Sequence, residues 1–165
     1  MSFIIGRGRY AREAYPSPPS PGAGPAPASE WAAALAGNLN GQPTIVVSKS
    51  ITPKATGRLV ITITAAMQNQ SDSGVCPIDV SVTHGAGVLT PSDGPAVRYT
   101  INDNGGGREF GTIAFEVDLG RVATPVIFPV GTPVTINAVF APQGGQSAQW
   151  LDNGIQLTIE ERPSL

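Results

Sequence analysis

Leu59-Val60-Ile61-Thr62-Ile63-Thr64-Ala65 decides the fold. Leu59, Ile61, Ile63 and Ala65 fall on one side of an extended chain, and Val60, Thr62 and Thr64 fall on the other. Period two with one apolar side is the pattern of a half-buried antiparallel strand. It recurs with Ile78, Val80 and Val82; with Val97, Tyr99 and Ile101; and with Ile113, Phe115 and Val117. It appears again with Val134, Ile136, Ala138 and Phe140, and with Ile155, Leu157 and Ile159. Thr44–Ser48 and Thr124–Phe128 are further candidates, which makes about eight strands.

The segments between them are turn chemistry. Thr52-Pro53, Asp72-Ser73-Gly74, His84-Gly85, Pro91 to Pro95, Asn102 to Gly107, Gly131 to Pro133, Gln143 to Gly145 and Asp152-Asn153-Gly154 punctuate the alternation. Many short strands with no helices between them predict an all-β antiparallel sandwich, jelly-roll-like because eight is the strand count of that architecture. This body spans residues 43–162.

Composition points the same way. The 165 residues include 20 Gly and 16 Pro, and only 13% are charged. Glycine and proline interrupt helices, so bundles and coiled coils are excluded. The net charge of −2 gives no electrostatic footprint for nucleic acid. No apolar run reaches the ~20 residues needed to span a bilayer. Met1 to Gly6 is too short an apolar start for a signal peptide, so the expected site of synthesis and residence is the cytoplasm.

Ahead of the body lie three shorter regions. Residues 1–15 carry apolar and aromatic anchors, Phe3, Ile4, Ile5, Tyr10 and Tyr15, around Arg7, Arg9 and Arg12. Aromatic and arginine side chains are favoured anchors at interfaces, and the segment is too short for a core, so it reads as an arm that docks on a protein partner. Residues 16–28 are a Pro-rich spacer. In residues 29–42, Ser29 is placed to cap a short helix through Ala36 that Gly37 stops, with Trp31 and Leu35 on one face. That pair is expected to pack on the body or on a neighbour.

Chemistry-bearing residues are few. Cys76 shares parity with Ile78 and Val80, so it reads as a small core hydrophobe; the only histidine, His84, reads as a surface residue at a strand end. A nucleophilic pair of these two is disfavoured by their separation along one strand. No cysteine–histidine spacing suits a metal, and Asn102–Gly107 reads as a hairpin turn rather than a calcium loop. Glu116 with Asp118, or Glu160 with Glu161, would be the paired carboxylates of a glycoside hydrolase, but alternation alone accounts for Glu116 and Asp118. No cofactor, metal or catalytic group is expected, and the chain is not expected to be an enzyme. Trp150 reads as a rim aromatic, packed or at an intersubunit seam.

The outward strand faces are poor in charge and rich in Thr, Ser, Asn, Gln and Ala, which suits a body covered by copies of itself. With the start Gly6-Arg7-Gly8-Arg9-Tyr10-Ala11-Arg12-Glu13, the proline-rich spacer and a close on NGIQLTIEERP (153–163), the chain resembles small structural proteins of tailed-bacteriophage particles, the capsid decoration or cement type. The resemblance implies a virion location, a homotrimeric body over residues 43–162, and an arm from Phe3 to Tyr15 that grips the major capsid protein. From charge and hydropathy, no nucleic-acid or membrane partner is expected. The competing expectation is a carbohydrate-binding sandwich with Trp31, Tyr99 or Trp150 as its platform.

Overall fold

The computed structural model describes residues 24–70, 75–85, 96–102 and 110–163. The arm residues Phe3, Ile4, Ile5, Arg7, Arg9, Tyr10, Arg12 and Tyr15 lie outside the described residues, as does most of Asn102–Gly107. The described chain is all-β. It runs β1 (Ser29–Ala33), β2 (Gly37–Asn40), β3 (Thr44–Ile51), β4 (Leu59–Asn69), β5 (Val75–His84), β6 (Val97–Asn102), β7 (Phe110–Asp118), β8 (Val134–Pro142), β9 (Ser147–Trp150) and β10 (Ile155–Glu161).

Every pairing is antiparallel, and the strands form two sheets. One holds β3-β8-β5-β6 and the other holds β1, β2, β4, β7, β9 and β10. The ten strands follow eight tracks. Gln68 of β4 pairs with Phe110 of β7 and with Gln149 of β9, so β9 lies on the edge of β4 away from β7, the edge that β10 also occupies. β9 and β10 are thus one track interrupted at Leu151–Gly154, and β1 and β2 are its partner track, interrupted at Ala34–Ala36. Numbered along the chain, the first track pairs with the eighth, the second with the seventh, the third with the sixth and the fourth with the fifth. The body is one long hairpin, its bend between β5 and β6, wound so that track three also meets eight and track four also meets seven.

Alternation sets the core between the sheets. Leu59, Ile61, Ile63, Ala65 and Met67 of β4 face Cys76, Ile78, Val80 and Val82 of β5, with Ile136, Ala138 and Phe140 of β8 and Ile155, Leu157 and Ile159 of β10 in the same cluster. All are buried.

Two expectations are overturned. Residues 29–33 are a strand, not a helix: β1 hydrogen-bonds along the edge of β10, and Ala28, Ala32 and Ala34 pack on the core. Two helical turns are marginal alone, whereas the β10 edge offers a ready ladder, so tertiary pairing overrides alanine's helix propensity. Residues 29–42 therefore belong to the body. Thr124–Phe128 is not a strand either; Pro125 within it and Pro129 just after it cannot donate to a ladder. It forms an ordered loop in which the Val126 N–H donates to Leu119 O at 2.8 Å and the Phe128 N–H to Gly57 O at 2.9 Å.

Candidate interaction surfaces

The outward face of the larger sheet is built row by row from the register. Trp31, Thr158, Thr62 and Glu116 form one row, and Ala33, Gln156, Thr64 and Ala114 the next. Asn38, Gln149 and Gln68 form another, closed by a bond from Gln149 Nε2 to Gln68 Oε1 at 2.8 Å. Glu116 is the only charge in these rows. The centre of this face is therefore charge-poor, neutral rather than greasy, while the next row, Ser29, Glu160, Val60 and Asp118, and the Arg58–Arg162 pair beyond it concentrate charge at one end.

At its β1/β2 border the face carries large apolar side chains. Trp31 is 54% exposed, Leu35 82% and Leu151 62%. Leu35 and Leu151 project where both tracks break. That break is closely bonded: the Ala36 N–H donates to Asp152 Oδ1 at 2.7 Å, the Asn153 N–H to Ala34 O at 3.0 Å, and the Ala34 N–H to Ile155 O at 2.9 Å. Asn153 takes the left-handed conformation at φ 61° that such a turn requires. Neither Trp31 nor Leu35 packs on the body, which corrects that half of the expectation for them. Trp150 does pack: it is 6% exposed, and its Nε1 donates to Leu35 O at 2.6 Å.

A second constellation, absent from the sequence reading, lies inside the end of the sandwich. Glu161 continues the inward stripe of β10 and is buried. Its Oε1 accepts N–H bonds from Ala55 (2.9 Å), Thr56 (2.6 Å) and Gly57 (2.8 Å). Its Oε2 accepts from Lys54 (2.8 Å) and Ala28 (3.0 Å). Four successive backbone donors make an anion nest. Burial alone would raise the carboxyl's pKa, but the bonds from Ala28, Lys54, Gly57 and Ala55 outweigh it and hold it down to about 2. Gly57 reaches this position with φ +67°, and a Cβ there would sit 1.9 Å from Phe128 O. The nest ties the entry of β1, the β3–β4 loop and the end of β10 together. Its donors are all occupied by the chain's own carboxylate, so its role is structural. A glutamate ending an apolar stripe was the available signal.

The remaining residues singled out by sequence do not converge. Cys76 is fully buried as expected, its Sγ 3.8 Å from Ser147 O, and burial pushes the thiol pKa up. His84 lies eight residues along β5, about 26 Å away at strand rise. It is not a free loop residue but ends the strand edge-on to Phe128, ring centroids 5.3 Å apart. Glu116 and Asp118 share the outward face of β7, and both face Arg162. Glu160 is exposed while Glu161 is buried, so these neighbours point apart. Tyr99 is buried. Among the described residues no group of three His, Cys, Asp or Glu is placed to hold a metal, and no helix is long and apolar enough to cross a membrane. No protein-family model matches the chain, and no curated protein matches it.

Proposed function

We propose that this chain is a non-enzymatic structural protein of a virus particle, of the capsid decoration type. In this reading the body oligomerises, as a trimer, and the arm over Phe3 to Tyr15 binds the major capsid protein. The observation that carries it is the neutral, threonine- and glutamine-rich centre of the outer face, bordered by exposed Trp31, Leu35 and Leu151. A free monomer gains solubility from charged faces, and a neutral face with an indole at its border is suited to burial against a protein. The track order 1-8-3-6 facing 2-7-4-5 supports reading the two-sheet sandwich as a jelly roll, an architecture frequent in viral capsid and lectin domains. Fold alone does not assign function, so this second point supports the reading without carrying it.

Light scattering on the purified chain tests the oligomer. A trimer that Trp31→Lys and Leu35→Lys reduce to folded monomer is the expected result; a monomer at every concentration counts against the reading. The arm is tested by deleting residues 1–24, a cut that spares Ala28, whose N–H bonds Glu161. The truncated body should remain folded and lose attachment to the particle. Undiminished attachment would remove the arm's assigned role.

The carbohydrate reading retains one specific support. Trp150 and Tyr99 are buried, but Trp31 is exposed beside Thr158, with Gln156 in the adjacent row. An indole face with hydroxyl and amide neighbours suits a sugar ring. A glycan array showing no signal would dispose of it.

A further inference from the structure

Three arginines gather at one end of the outward face of the larger sheet, in the body rather than the arm. The Arg162 N–H donates to Arg58 O at 2.8 Å, which extends the β4–β10 ladder by one pair and sets the two arginines directly opposite each other. Like charges facing across a ladder are destabilising unless something neutralises them. On the other side of Arg58, Gly120 leaves the room its side chain needs: a Cβ there would lie 3.1 Å from Arg58 Nε. Arg58, Arg121 and Arg162, with Asp118 and Pro163, line a cavity of about 360 Å³.

The carboxylates among the described residues do not saturate these cations. Asp118 Oδ1 accepts the Gly120 N–H at 3.0 Å. Its Oδ2 lies 3.7 Å from Arg121 Nε and 3.9 Å from Arg162 Nε, beyond hydrogen-bond reach. Glu116 Oε1 is 3.4 Å from Arg162 Nη2, a weak contact between two half-exposed groups. Arg58 has no ion pair among the described residues. A guanidinium carries five donors in a rigid fork, so most of this donor capacity has no partner among the described residues.

We propose that this cavity binds a single carboxylate presented by a partner polypeptide. The planar guanidinium fork matches a carboxylate in bidentate geometry. Nucleic acid fits worse: phosphate-tracking sites need a run of cations, and here Glu116, Asp118 and Glu160 flank the arginines and would repel a polyanion. One acidic side chain sets only one negative charge among three positive ones. Half of the six basic residues in the described body are spent here, in a chain that is acidic overall.

The test uses the full-length protein and the side-chain Nε–Hε NMR signals of its arginines. The probe is a neutral-capped Gly-Ser-Glu-Ser-Gly peptide, with the same peptide carrying Gln as control. The Glu peptide should shift Arg58, Arg121 and Arg162 saturably and leave Arg98, which is bonded to Asp79 on the other sheet, unmoved. Arg58→Gln should weaken binding about tenfold, the scale of one charge-assisted bond. Arg121→Gln, in a highly exposed turn position, serves as a second variant that keeps the fold. Equal shifts from the Gln peptide, or affinity unchanged in both variants, would overturn the site. Tighter binding of inorganic phosphate or of a short single-stranded DNA at the same arginines would overturn the carboxylate assignment.

Discussion

Gly37 lies directly opposite Trp150 in the β2–β9 ladder, and a Cβ at 37 would fall 2.6 Å from the indole ring. The glycine is what allows the ring to lie flat across the first track and bond Leu35. Gly37→Ala should therefore force the indole outward and lower stability by about 1–3 kcal/mol, the usual range for overpacking. Denaturant melts check the size. The two tryptophans separate the readout: with Trp150 6% and Trp31 54% exposed, wild-type emission from Trp150 should be blue-shifted and shielded from acrylamide, and that from Trp31 red-shifted and quenched. Gly37→Ala in a Trp31→Phe background should turn the remaining emission red.

Glu161 is the second sensitive point. Glu161→Gln replaces one carboxylate oxygen with an NH₂ that faces backbone donors. It should cost roughly 3 kcal/mol, the loss of a charge-assisted acceptor plus an unmade bond. Its folded pKa lies below its ordinary value, so the charge stabilises the fold above the unfolded pKa and loses that effect as pH falls. Stability should drop as pH falls from about 4.5 towards about 2, and the variant should show a flatter profile there. A variant whose acid sensitivity equals that of the wild type would contradict this account.

Gly57 should tolerate no side chain. Its φ of +67° disfavours any L residue, and Phe128 O occupies the space. Gly57→Ala should destabilise by more than 3 kcal/mol or prevent folding at growth temperature, since both the nest and the Phe128 loop must shift. Expression in the soluble fraction and thermal melting check it.

Cys76 should be chemically silent in the native state. The thiol is fully buried and its pKa is raised, so thiolate is scarce. Labelling by a thiol reagent should proceed at the rate of opening, and become immediate in denaturant. Fast native labelling would place Cys76 outside the core.

Tyr99→Phe offers the opposite case. The buried Tyr99 hydroxyl has no partner in good hydrogen-bond geometry among the described residues; burial pushes its pKa up to about 12, and the nearby Met67 backbone only partly offsets that. Removing it should leave the melting temperature unchanged or raise it slightly.

Most of the architecture was legible because burial between two sheets writes itself as period two. Ile61 and Ile63, Ile78 and Val80, Ile155 and Leu157 were assigned to the core by parity alone, and that is where they lie. The exceptions had local sequence that pointed elsewhere. Ser29 to Ala36 carries helix formers, and only the free edge of β10 turns it into a strand. Thr124–Phe128 has the apolar run of a strand, but Pro125 and Pro129 interrupt it, and Phe128 is held instead by Gly57 O and the His84 ring. Glu161 looked like one of two adjacent acids, because nothing local shows that four consecutive N–H groups wait about a hundred residues earlier.

The sequence by itself determined that the chain is β, which residues of the alternating strands point inward, and that much of the outward surface of those strands is uncharged. Those are properties of neighbours along the chain, fixed by alternation and turn chemistry. Only the tertiary structure decided which strands pair, that the first track closes on the last, and that Arg58 and Arg162 stand opposite each other. Pairing joins residues remote in sequence, through backbone bonds that every residue can make, so no local pattern encodes the partner.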